Sequence, residues 1–238
     1  MKLKLLNGNE IKILACIFMF IDHLGMFFYP NIIALRIIGR LAMPLFAFFI
    51  AEGAHYTKNK TAYLSGILML GLIITSTVYA FTKEINLNIL ISFSFSLILI
   101  YIFDKFREKI YLHEKASILF LFLFILYFIG LLIFLRYYYI EYQLFAILIP
   151  FGLSLTNSKF KKNCDNIIKF IVFILVYTIC MFISSFIYQI NTPLHIQAYG
   201  YFASIFILLY NNKRGRLNLK YLFYIFYPLH IGIMYLIK

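Results

Sequence analysis

The chain has 238 residues, 63% of them hydrophobic, 20% aromatic and only 13% charged. Soluble domains run nearer half apolar and a quarter charged, so a water-soluble globule is excluded and a multi-pass membrane protein is expected. The formal net charge of +13 does not mark a nucleic-acid binder, because its Lys and Arg residues are scattered in short connections between apolar runs.

A membrane crossing takes ~20 apolar residues. Nine runs qualify in chain order, at 11–29, 32–51, 62–81, 86–103, 116–135, 138–156, 167–188, 194–210 and 219–237. The first follows Lys2 and Lys4, as a signal peptide would, but Asp22 and His23 interrupt it and no small-residue cleavage site follows. It is therefore expected to stay as the first span. Alternate connections are assigned 17 of the 22 Lys and Arg residues, among them Lys12, Lys105, Arg107, Lys109 and Lys169. The opposite side holds only Lys83, Arg136 and Lys238. This asymmetry predicts a cytoplasmic N-terminus and an external C-terminus. The expected architecture is one all-α bundle over 1–238, in the cytoplasmic membrane and bathed by its lipid. With no soluble domain, any chemistry lies within the bundle or at its faces.

Cys16, Cys164 and Cys180 have no paired spacing, and two of them fall in apolar runs, so they read as packing residues. Neither a disulfide nor a metal site is expected.

Four ionisable residues cannot be assigned to a connection: Asp22 and His23 in the first run, Arg36 and Arg40 in the second. Each costs at least ~2.5 kcal/mol at membrane depth, so they are expected to have partners and work. At 1.5 Å per residue, His23 lies ~9 Å below the outer end of its span, Arg40 ~12 Å and His230 of the last span ~10 Å. One layer in the outer half of the bilayer can hold all three. Arg36 and Arg40 are four residues apart, on one helix face. Asp22 and His23 are consecutive and point about 100° apart, so Asp22 is expected to neutralise an arginine, leaving His23 to face a cavity. Pro44 cannot donate to the Arg40 carbonyl, nor Pro228 to that of Tyr224, so each loosens a turn beside an ionisable residue. A plain packing kink explains either proline equally well.

At the inner end of the second run, Glu52, His55, Lys58 and Lys60 gather. Two lysines at a helix C-terminus can hold the phosphates of a nucleotide-like donor. Ordinary basic flanking of a span explains them as well. His113 reads as solvated. His195 reads as an interfacial residue that can also line an acceptor entrance.

Asp22-His23-Leu24-Gly25, the run LRIIGRLAMPLFAFFIAEG from Leu35 to Gly53, then His55-Tyr56-Thr57-Lys58 with Tyr63, and Phe226-Tyr227-Pro228-Leu229-His230 resemble the TraX family. That resemblance implies a membrane acetylase of the kind that acetylates the N-terminus of pilin, grouped with integral-membrane acyltransferases that draw on cytosolic acyl-CoA. The likeness is dense over about 45 N-terminal residues and the short C-terminal block. It implies His23 as the catalytic histidine, Arg36 and Arg40 as charges of the second span, Glu52 to Lys58 as the cytoplasmic signature, and His230 as the C-terminal histidine. Acetyl-CoA is the implied co-substrate. The acceptor stays open between a peptide or pilin amine and an envelope glycan.

The residue types suit that chemistry. A neutral imidazole can take a proton from an attacking amine or hydroxyl near neutral pH. Arg40 can supply positive charge where the thioester oxygen becomes negative. A covalent acetyl-histidine is the alternative to direct transfer. Two other classes stay in play: a proton-coupled carrier, which also uses buried Asp, His and Arg, and a passive assembly factor indifferent to His23.

Overall fold

The computed structural model describes residues 5–157, 166–188, 193–216 and 219–237. Among these the chain is helical, with two isolated bridges and no strand. In order the helices are α1 (Gly8–Phe27), α2 (Ile33–Gly39), α3 (Ala42–Tyr56), α4 (Lys60–Thr82), α5 (Ile89–Tyr111), α6 (Ala116–Tyr137), α7 (Gln143–Ser154), α8 (Asn166–Tyr188), α9 (Pro193–Ala198), α10 (Ala203–Leu209) and α11 (Lys220–Ile237). A 3-10 turn, Tyr199–Phe202, links α9 to α10. Counting α2 and α3 together, five helices among the described residues are long and apolar enough to cross a membrane, as expected of a membrane protein. The chain divides into two compact units, Met1–Phe49 with Thr156–Lys238, and Ile50–Leu155.

In the first unit, Asn7 caps α1, accepting from the amides of Asn9 and Glu10 while Glu10 accepts from the Asn7 amide at 2.7 Å. The residues just before α1 run beside the segment after α10: Leu6 accepts from the Asn211 amide, and the Gly8 and Asn9 amides donate to Lys213 and Arg214 carbonyls. From there α1 runs to a short turn at Tyr29 and Pro30, and α2 returns along it. Two glycines set the spacing of that pair. A Cβ on Gly25 would lie 2.8 Å from Leu35 Cβ, and Gly39 sits against the Asp22 side chain. Small residues at such crossings let helices approach closely enough for polar side chains to bridge them. Further in, Met43, Leu45, Phe48, Phe173, Tyr177, Ala203 and Ile207 are buried.

The second unit is organised around α5, which packs on α4, α6 and α7. Buried polar side chains on α5 satisfy neighbouring backbones: Asn88 donates to the Gly71 carbonyl at 2.6 Å, and Ser96 to that of Ile147 at 2.7 Å. Such bonds remove the penalty of leaving these side-chain donors unpaired in apolar surroundings. By contrast α6 carries an exposed apolar face, with Ile118, Phe122, Leu126, Ile129 and Ile133 outward. In a bilayer that face is solvated by lipid.

Four expectations change. The second run is not one continuous helix: it breaks at Arg40 and Leu41, where Pro44 has no N–H for the Arg40 carbonyl, and it ends at Tyr56. Asp104 to Lys109, placed in a connection, belong to α5, which runs on to Tyr111. Ion pairs Lys105–Glu108 and Lys109–Glu114 support that extension, and a basic last turn suits the helix dipole. Lys12 lies within α1, its Nζ 4.8 Å from the centre of the Phe49 ring. Lys169, also read as a connecting lysine, is in the first turn of α8, 1% exposed and 5.6 Å from the Phe48 ring centre.

A polar cluster at the first helices

The site is built where α1, α2, α9 and α11 approach one another within the first unit. Asp22 and His23, consecutive on α1, are both buried and diverge as the helical geometry requires. Each meets a different partner set.

Asp22 faces α2. Arg40 Nη2 donates to both carboxylate oxygens at 2.6 Å, and Arg36 Nη1 reaches Oδ2 and the Asp22 carbonyl, each at 3.0 Å. The pairing of Asp22 with an arginine inferred from the spacing is thus present, and it takes in both arginines. The one-turn separation of Arg36 and Arg40 allows this. The absence of a side chain on Gly39 leaves the carboxylate its place.

Arg40 is held on further sides. Its Nε donates to the Arg36 carbonyl at 3.3 Å, and Nη1 to Gln197 Oε1 of α9 at 3.4 Å. Gln197 is fixed in turn by Tyr177 of α8, which is fully buried: the phenol donates to the Gln197 carbonyl at 2.6 Å, and Gln197 Nε2 lies 3.2 Å from the phenol oxygen. Tyr177 sits against Gly200, where a Cβ would come within 2.7 Å of Cζ. The guanidinium is therefore oriented from α1, α2 and α9 at once, as suits a preorganised charge. The sequence reading did not single out Gln197 or Tyr177. A tyrosine in an apolar run and a glutamine three residues before a glycine give little local signal.

His23 faces α11. Its Nδ1 lies 2.8 Å from Nε2 of His230, whose Nδ1 lies 2.8 Å from the Phe226 carbonyl. So His23 is not left open to a cavity on all sides: one ring nitrogen is engaged by the second candidate histidine. The Phe226 ring lies 4.8 Å from that of His230, centre to centre, and Phe27 packs edge-on to His23. Pro228, between Phe226 and His230, lies inside α11 without ending it.

Glu52, His55, Lys58, Lys60 and His113 belong to the second unit. Glu52 is buried near the end of α3, and His55 packs edge-on against Tyr56. Lys58 is exposed. Lys60 pairs with Asp104 at 2.9 Å and lies over the Tyr101 ring. His113 is exposed, with φ +54 just beyond α5. The His195 side chain and Cys164 lie outside the described residues, while Cys16 and Cys180 are buried free thiols. Among the described residues no group of three or more His, Cys, Asp or Glu converges as metal ligands would.

Relatives are recognisable over part of the chain. An uncharacterized protein of Rickettsia prowazekii (strain Madrid E) is 47% identical over 64 residues, 27% of this chain. The probable fimbrial assembly protein FimC, serogroup H1, of Dichelobacter nodosus is 34% identical over 71 residues, 28% of this chain. These matches span only 24% and 29% of the relatives' own lengths. No solved structure matches the chain. The model of the family described as TraX protein matches residues 7–238, and the chain belongs to that family.

Proposed function

We propose that this protein is an integral-membrane acetyltransferase that moves an acetyl group from acetyl-CoA to an amine or hydroxyl of an envelope acceptor. The observation that carries the reading is the juxtaposition, inside one apolar unit, of a buried histidine pair and an arginine fixed by a buried carboxylate. Keeping such groups in helices of this hydrophobicity is costly unless they are used. Membership of the TraX family adds to it, since the family is tied to pilin acetylation, as does a relative named for fimbrial assembly. A peptide or pilin N-terminal amine is therefore the first acceptor to try, and a glycan hydroxyl the second.

In the proposed reaction His23 takes the proton from the acceptor N–H or O–H as that atom attacks the thioester carbonyl. Arg40 faces the oxygen as it becomes negative, with Asp22 and Arg36 keeping it in place. Collapse of the tetrahedral intermediate breaks the carbon–sulfur bond, and the proton on His23 passes to the departing thiolate. The products are the acetylated acceptor and free CoA. On the donor side, Lys58 and Lys60, with Glu52 and His55 beside them, form the proposed mouth for the phosphate-bearing end of CoA. The full proposal has nine crossings, with those residues cytoplasmic and His23 in the outer half.

The test is transfer of radiolabel from [acetyl-14C]acetyl-CoA to a peptide amine or glycan acceptor by the protein in nanodiscs. Wild type should label the acceptor, and His23→Ala should lose about 10² to 10⁴ in turnover while still inserting and folding. Transfer at the wild-type rate by His23→Ala would sink the reading. So would accumulation of solute in proteoliposomes without acetyl-CoA, with no acceptor labelled, which marks a carrier.

A further inference from the structure

We infer that His230 is a positioning residue that fixes the proton of His23 on Nδ1, so that the Nε2 lone pair of His23 is the basic atom of the site; the catalytic meaning of this rests on the acyltransferase reading.

The inference starts from a carbonyl. The Phe226 oxygen has only lone pairs to offer, so His230 Nδ1, 2.8 Å away, must carry a hydrogen and donate it. A neutral imidazole has one N–H, which leaves His230 Nε2 bare. That bare nitrogen lies 2.8 Å from His23 Nδ1. Two lone pairs at this distance repel, so the hydrogen between them belongs to His23 Nδ1. His23 has then spent its single N–H, and its Nε2 carries a lone pair. One backbone carbonyl thus decides two tautomers in succession.

Ring geometry supports the bond. The imidazoles are within 13° of parallel, with centroids 5.0 Å apart. With nitrogens only 2.8 Å apart, that separation is close to the largest the two rings allow. The rings therefore meet end to end in nearly one plane rather than face to face. This is the arrangement in which an in-plane N–H points along an in-plane lone pair.

The second nitrogen of His23 has the opposite character. Among the described residues, Nε2 has no hydrogen-bond partner, whereas Nδ1 is fully used. When Nε2 accepts a proton, the Nδ1–H bond to His230 becomes charge-assisted and shortens, so the pair favours the protonated state only once it forms. Elsewhere a carboxylate fills this orienting role behind a catalytic histidine. Here the adjacent carboxylate, Asp22, points away and is occupied by Arg36 and Arg40. A second histidine, itself fixed by its own helix, stands in that place. Phe226 and His230 are four residues apart on α11, which puts the carbonyl within reach of the side chain one turn on.

The experiment is a two-bond nitrogen–proton correlation spectrum of protein labelled with 15N-histidine in nanodiscs, with signals assigned through His23→Gln and His230→Gln. Both His23 and His230 are expected with the proton on Nδ1 and a bare Nε2. A proton on Nε2 of His23, a doubly protonated ring in either residue, or rapid tautomer exchange overturns the proposal. Two substitutions extend the test. His230→Gln can present an amide oxygen where Nε2 was, and should keep the His23 tautomer. His230→Phe keeps the ring and its packing but accepts nothing, and should release it. Under the acyltransferase reading, turnover should fall about 10²-fold in His230→Phe with acetyl-CoA KM unchanged, and much less in His230→Gln. Equal losses in both overturn the positioning role, and the wild-type spectrum decides the tautomer even if His230→Phe fails to fold. Nδ1 protons in a wild-type protein that transfers no acetyl support the relay and overturn the acyltransferase reading instead.

Discussion

Gly39 lies directly against the carboxylate of Asp22, with no room between them for a methyl group. The closeness is what allows a short helix after a tight turn to deliver two guanidiniums to one buried acid. Gly39→Ala would bring a Cβ onto Asp22 Cβ itself as well as 2.6 Å from Cγ, so turning the carboxylate cannot clear it and α1 and α2 would have to move apart, loosening the bond to Arg40. Overpacking of this kind costs about 1–3 kcal/mol. We expect a lower unfolding temperature and reduced acetyl transfer in Gly39→Ala. Gly130→Ala on α6, where an added Cβ meets nothing within 4 Å, should change neither. Indistinguishable behaviour of the two variants in thermal unfolding would refute the close packing.

The ion cluster should behave as a unit. Asp22→Asn leaves Arg36 and Arg40 in an apolar unit without their carboxylate, and breaking such a pair typically costs about 3–5 kcal/mol. Replacing Arg40 by Met as well removes one of the stranded charges. The double variant Asp22→Asn/Arg40→Met should therefore be more stable than Asp22→Asn alone, yet remain inactive because the guanidinium is gone. A double-mutant cycle read by thermal unfolding checks this, and strict additivity of the two losses would show that the residues do not interact.

Tyr177 reaches Arg40 through Gln197. Tyr177→Phe removes the phenol bond to the Gln197 carbonyl, a loss of about 1 kcal/mol in stability. With Arg40 itself intact, turnover should fall several-fold rather than by the orders of magnitude expected for Arg40→Met. Steady-state kinetics on both variants at saturating acetyl-CoA make the comparison.

On the proposed donor side the two lysines are no longer equivalent. Lys60 is paired with Asp104, both about a quarter exposed, whereas Lys58 is free to meet solvent. A contact made equally in ground and transition states affects KM alone. Lys58→Ala should raise the acetyl-CoA KM and spare kcat. Lys60→Ala should also release Asp104, adding a stability change of at most about 1 kcal/mol. If the acetyl-CoA dependence is unmoved in both and in their combination, the donor phosphates are held elsewhere, and Lys213, Arg214 and Arg216 become the residues to test.

The orientation is open to direct labelling. Single cysteines at Asn59 and Asn212 should react only with reagent on the cytoplasmic side, and one at Lys83 only from outside. Labelling of Lys83 from the same side as Asn59 would remove the nine-span arrangement and the depths inferred from it.

By itself the sequence determined the helical membrane character and the ionisable members of the polar cluster, though not Gln197 or Tyr177. Both are one-dimensional properties: apolar runs of bilayer length, and ionisable residues whose insertion cost makes them conspicuous inside those runs. It also marked the turn at Arg40 as loosened, because Pro44 withholds the N–H that the Arg40 carbonyl would accept, but not that the helix would stop there. The sequence could not say that Lys169 is buried or that α5 runs through the charged stretch to Tyr111. Long basic side chains can lie along apolar or aromatic surface, and surface ion pairs can hold a charged stretch in helix, so charge alone does not mark a loop. The pairing of Asp22 with an arginine was legible in the spacing, but only the tertiary structure decided the long-range pairs. His23 and His230 are separated by 207 positions, and Arg40 and Gln197 by 157, so no local spacing connects them. Their contacts depend on how closely α1, α2, α9 and α11 pack, and on the rotamers that packing permits. Which nitrogen of His23 is left bare follows from a single backbone carbonyl on α11, a fact of three-dimensional placement that no residue type records.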